Sequence, residues 1–168
     1  MEKKCVLFPQ NLGCLLIFRI TRNKLMTCFW DGLLKVLAPQ DFHIIGKRKP
    51  KKATDFIAML QSENTLTRAV GWSSSSRERR HIEDNFSCPT ELQLKENYEA
   101  VKSFRPRSAQ HGYDCSAFDP FLFLVAQIFE VSIVHKGAFS TSTYQNLRSS
   151  RKTLRVSSDL GHFVGHRR

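Results

Sequence analysis

Asp119-Pro120, followed by Phe121-Leu122-Phe123-Leu124-Val125-Ala126-Gln127-Ile128-Phe129, most constrains what this chain can fold into. Aspartate suits an N-cap and proline suits the first helical position, so the pair predicts a helix start. The residues that follow are apolar nearly all round. Such a helix has to be enclosed by a sheet and other helices. Val131-Ser132-Ile133-Val134-His135 then reads as a strand. At 168 residues, with 41% apolar and 11% aromatic side chains, the chain is large enough for one domain with a real core, and its composition argues against disorder.

The rest of the chain can be divided around that helix. Cys14 to Ile20 is rich in β-formers and predicts a buried strand, with a turn at Thr21-Arg22-Asn23-Lys24. A helix is predicted from Thr27, as N-cap, to about Ala38, before Pro39. Thr54 is placed to cap a short helix through Gln61, with Phe56, Ile57 and Leu60 on one face and further helical turns towards Trp72. Ser73 to Ser76 predicts a loop, and Arg77 to Asn85 a weakly helical charged segment. Pro89-Thr90-Glu91 starts a helix carrying Leu94, Tyr98 and Val101, which stops before Pro106. Residues 105–116 and Gly137 to Ser150 read as loops, and Thr153–Ser157 and His162–His166 as late strands. The order predicts an α+β domain at residues 14–168, a small mixed sheet packed between helices, after an N-terminal segment at residues 1–13.

The five cysteines (Cys5, Cys14, Cys28, Cys88, Cys115) are odd in number and form no CxxC pair, which favours a reducing compartment over a disulfide framework. His81, Cys88, His111 and Cys115 match no common zinc spacing, so no metal or cofactor is expected. The longest apolar stretch, Ala117 to Phe129, is too short to cross a bilayer. Lys3, Lys4 and the apolar residues after them resemble a signal peptide. Pro9-Gln10-Asn11 interrupts the run, and no small-residue cleavage site follows. A monomer in the cytoplasm or nucleus, without membrane contact, is the expectation.

The net charge of +11 lies in two segments. Lys47, Arg48, Lys49, Lys51 and Lys52 form a compact basic run, readable as a nuclear-import or nucleic-acid patch or as a solvated loop between helices. The second segment, residues 132–168, is diffuse; its basic side chains suit an acidic partner or simple exposure.

Chemistry points to Thr27-Cys28-Phe29-Trp30-Asp31-Gly32-Leu33-Leu34. A cysteine at a helix start feels the positive end of the dipole, which favours thiolate over thiol. The alternative is a small buried residue on a core helix. A nucleophile needs a base, and His162, just after Gly161 at the start of a late strand, is placed to project from a sheet edge. An early-helix cysteine with a late-strand histidine is the papain-like division of labour.

In these residues the chain resembles the ovarian-tumour (OTU) family of papain-like cysteine proteases, many of them deubiquitinases. Three blocks carry the resemblance in family order: Cys28-Phe29-Trp30 with Leu33-Leu34, the Phe121–Val134 helix and strand, and Leu154–Val156 followed by Gly161-His162-Phe163. The resemblance implies Cys28 as nucleophile, His162 as general base, and an oxyanion loop at Leu25, Met26 and Thr27. The implied substrate is the C-terminal tail of ubiquitin or a ubiquitin-like protein, with a viral or transposon polyprotein as a variant. Lys24-Leu25-Met26-Thr27 stands where the family has an Asp-Gly-Asn-like loop, and Val164 stands where it has Asn or Asp. Asp159 is the candidate third residue, with Asn23 as another, and Cys14 is a rival nucleophile. A degenerate OTU-like adaptor and a basic nucleic-acid-binding module are the alternatives to an enzyme.

Overall fold

The computed structural model describes residues 27–65, 67–76, 86–116, 118–159 and 162–166. The strand expected at Cys14–Ile20, the turn at Thr21–Lys24 and the charged segment Arg77–Asn85 lie outside the described residues.

The described elements run in order as α1 (Cys28–Val36), α2 (Pro39–His43), α3 (Ala53–Ser62), β1 (Val70–Ser76), α4 (Glu91–Ser103), a 3-10 turn (Pro106–His111), α5 (Pro120–Ile128), β2 (Ser132–Lys136), β3 (Ser140–Asn146), β4 (Thr153–Asp159) and β5 (His162–His166). One five-stranded sheet has the order β1-β3-β2-β4-β5. Only β2 and β4 pair in parallel; the other neighbours are antiparallel. The architecture is mixed α+β, with helices packed on a mixed sheet.

The central helix forms as its sequence dictates. The Asp119 carboxylate accepts the Phe121 and Leu122 N–H groups at 3.0 Å each, and Phe121 to Ala126 are all buried. The helix ends in paired bonds from Glu130 N–H to the Gln127 carbonyl and from Val131 N–H to the Ala126 carbonyl, with Glu130 at φ +50°. This is a Schellman stop with glutamate in the left-handed position usually taken by glycine. It turns the chain directly into β2. Around α5 lies an aromatic cluster in which the fully buried Trp30 meets Phe29, Phe104, Tyr113 and Phe121 at 4.8–5.5 Å between centroids.

Several expectations are corrected. The described residues between Ser62 and Val70 are not helical, and the serine run is not a loop: Ser73 to Ser76 belong to β1 and pair with Thr143 to Ser140. Much of Gly137–Ser150 is likewise strand β3 rather than loop. Its inward positions Ser142, Tyr144 and Asn146 are buried. Hydrogen bonds compensate two of these groups: the Tyr144 hydroxyl accepts the Asp119 N–H at 3.0 Å, and the Asn146 amide donates to the Ala126 carbonyl at 3.1 Å. Thr54 does not cap α3, which begins a residue earlier at Ala53 with no side-chain cap. The short α2 was not expected. It begins at Pro39, and buried Asp41 accepts the Ala38 N–H at 2.6 Å.

Candidate active site

The first residue of α1 meets the beginning of β5. The Phe163 N–H donates to the Cys28 sulfur at 3.3 Å, and Cys28 is half-buried. Phe163 is adjacent to His162. Covalent geometry therefore puts the His162 Cα within about 6 Å of the sulfur.

Strand alternation sorts the β5 side chains. Phe163 and Gly165 face inward, towards α1, while His162, Val164 and His166 are exposed on the other face. Asp159 pairs directly with His162 across the β4–β5 hairpin. Directly opposed side chains share a face, with Cβ atoms about 5 Å apart. The start of β5 thus puts the Phe163 amide on the Cys28 sulfur, while His162 and Asp159 share the face of the strand turned away from α1. Val164 points to solvent beside them, with no polar atom to offer an imidazole.

The Phe163 ring holds the strand start in place. It lies 4.7 Å from the Phe29 ring and 5.7 Å from His135, centroid to centroid. Of the expected oxyanion loop, Leu25 and Met26 lie outside the described residues, as do Asn23 and Cys14. Thr27 departs from expectation. Its hydroxyl donates to Asp31 at 2.7 Å, and α1 has no side-chain N-cap bond. Asp31, four residues on, presents an acceptor that draws the hydroxyl away from the helix amides.

A thiol–imidazole contact that sequence reasoning missed lies behind Phe163. The Cys115 sulfur is 3.8 Å from His135 Nδ1, and His135 Nε2 is 2.8 Å from the Ser158 hydroxyl. Burial, with Asp119 nearby, holds the Cys115 thiol far above its ordinary range, and burial lowers the His135 imidazole. Both partners are therefore held neutral, the opposite of what a nucleophile and its base require. Asp119 itself is pushed up to about 6 by burial, against the pull of its bonds from the Leu122 N–H and the Tyr113 hydroxyl, the latter at 2.9 Å. The inward position of His135 on β2 follows from strand alternation, but no spacing signal connects it to Cys115.

The basic run sits at the other end of α1 and is partly committed to the fold. The Lys49 ammonium donates to the Leu34 and Leu37 carbonyls, both at 2.5 Å, and Lys47 pairs with Glu63 at 3.2 Å. Arg48, Lys51 and Lys52 are exposed. His81 lies outside the described residues, and among the described residues no three His, Cys, Asp or Glu side chains gather into a metal-holding group. Among the described residues no helix is long and apolar enough to cross a membrane. Comparison with protein-family models finds no match to this chain, and no curated protein and no solved structure matches it.

Proposed function

We propose that the chain is a papain-like thiol peptidase of the OTU type, with Cys28 as nucleophile, His162 as general base and Asp159 as the group that orients the imidazole. The single observation that carries this reading is the 3.3 Å contact from the Phe163 N–H to the Cys28 sulfur. It joins a helix-start cysteine to the strand that begins with His162, directly opposite Asp159.

His162 takes the thiol proton, and the sulfur forms a bond to the carbonyl carbon of an amide or isopeptide. The backbone N–H of Cys28 and an N–H from residues 24–27 hold the oxyanion; losing one such donor costs about 3 kcal/mol. His162 then protonates the nitrogen as the C–N bond breaks, leaving a thioester and a free amine. Water, deprotonated by His162, cleaves the thioester to a carboxylic acid and restores the thiol. The proposed substrate is the extended C-terminal tail of ubiquitin or a ubiquitin-like protein, met in the cytoplasm or nucleus. The nucleic-acid alternative loses Lys49 and Lys47 to intramolecular roles and draws its support from Arg48, Lys51 and Lys52.

An activity-based ubiquitin probe with a thiol-reactive C-terminus tests the reading. Labelling should vanish in Cys28→Ala, fall by at least tenfold in His162→Ala, and persist in Cys115→Ala and Cys14→Ala. A folded wild-type chain that takes no label, or label that survives Cys28→Ala, overturns it.

A further inference from the structure

α1 and β5 touch backbone to backbone, and two glycines permit it. A Cβ on Gly165 would overlap the Gly32 carbonyl oxygen and lie 2.6 Å from Val36 Cγ1. A Cβ on Gly32 would stand 2.6 Å from Phe163 Cδ1 and 3.4 Å from the Gly165 nitrogen. Cys28, Gly32 and Val36 are spaced four apart and therefore line one stripe of the helix. Four helical residues advance about 6 Å, and two strand residues about 6.7 Å. The stripe accordingly runs in step with the inward positions of β5: Cys28 at the Phe163 amide, Gly32 over Phe163 and Gly165, and Val36 over Gly165. Glycine inside a helix costs about 1 kcal/mol relative to alanine, so Gly32 is unfavourable for α1 taken alone. It gains its place only through this packing.

We propose that Gly32 and Gly165 are positioning residues for Cys28: the absence of two side chains seats α1 on β5 and thereby holds the sulfur in hydrogen-bond range of the Phe163 N–H. An N–H donates more strongly to a thiolate than to a thiol. A Cβ at position 165 meets a backbone carbonyl that cannot turn aside, so it must lift the helix. A Cβ at position 32 meets a ring edge, which a smaller side chain at 163 would relieve. The two glycines therefore differ in a checkable way.

The test is alkylation of the native full-length chain by iodoacetamide across a pH series, with Cys28 and the exposed Cys88 quantified separately by peptide mass spectrometry. In Gly165→Ala the Cys28 profile should move to higher pH, with a roughly threefold slower reaction at neutral pH, while Cys88 is unchanged. Gly32→Ala should show a smaller shift, and Gly32→Ala with Phe163→Leu should recover most of the wild-type profile. A folded Gly165→Ala chain with the wild-type Cys28 profile overturns the proposal. If Gly165→Ala does not fold, Gly32→Ala decides: an unshifted profile, or a shift that Phe163→Leu does not relieve, overturns it. Because the readout is alkylation, a shifted profile in a chain that takes no ubiquitin probe would sustain the positioning role and remove the peptidase reading.

Discussion

Asp119 holds three donors at once: the Phe121 and Leu122 amides that open α5 and the Tyr113 hydroxyl. Its carboxyl is pushed up from 3.8 to about 6 by burial, so in the acid range the native state binds this proton more tightly than the unfolded chain does. The contribution is therefore complete below about pH 4 and lost as pH rises through 6. His135 works in the other direction. Its lowered affinity for a proton stabilises the native state above 6.5 and is lost as pH falls. In thermal melts the stability difference between Asp119→Asn and wild type should consequently shift in favour of the variant from pH 4 to pH 7. A difference independent of pH would show that burial does not govern this carboxyl. At this scale the positions of Cys28 at a helix start and His162 at a strand start were legible, because both are local signals. Gly32 and Gly165 were not, because their role is the absence of a side chain, which matters only once helix and strand have met. The same holds for Cys115 and His135, whose contact is made by the sheet.

Helix ends show which local signals survive tertiary packing. Thr90 caps α4 by accepting the Gln93 N–H at 3.3 Å, while the Gln93 side chain accepts the Thr90 N–H at 2.9 Å, a reciprocal box that the Pro89-Thr90-Glu91 start announced. Thr90→Ala should destabilise by about 1 kcal/mol, a fall in Tm of roughly 2–4 °C. Thr27 and Thr54 carry the same residue type without that outcome: Asp31 takes the Thr27 hydroxyl at 2.7 Å, and Thr54 lies inside α3, past its N-cap Lys52. At the far end of α1 the Lys49 ammonium occupies the carbonyls of Leu34 and Leu37. Lys49→Met should therefore cost about 1–2 kcal/mol in a denaturant melt, and Lys51→Met close to nothing. Equal, small effects would return the run to a solvated loop. The strands divide differently. β2, β4 and β5 were legible from apolar alternation or β-rich runs, whereas β1 and β3 were not. Ser73-Ser74-Ser75 against Thr143-Ser142-Thr141 has no hydrophobic contrast, and only the partner strand makes a ladder of it.

At the scale of the molecule, the mixed sheet and the enclosed α5 follow from one another, since an all-apolar helix needs covering on every side. The sheet's parallel pair, β2 with β4, is bridged by β3, and the chain returns through Arg151, which donates to the Phe129 carbonyl at 3.0 Å and pairs with Asp41 at 3.5 Å. Asp41 also accepts Lys152 at 2.5 Å, so one buried carboxylate ties α2 to the approach to β4. Asp41→Ala removes the acceptor for the Ala38 N–H and for two partly exposed cations and should destabilise by about 1–2 kcal/mol, read as a shift of the urea midpoint. The contact from Phe163 to Cys28 spans 135 residues of chain. Contacts so distant along the chain close late, after local helices and hairpins have formed, and pulse-labelled hydrogen exchange during refolding should find the β5 amides protected after those of α5. During synthesis the consequence is stricter. Chains emerge from the ribosome N-terminal end first, so the thiol of Cys28 is exposed in the cell well before the strand that receives it. A chain interrupted anywhere before β5 would carry that sulfur without the amide that meets it in the folded protein.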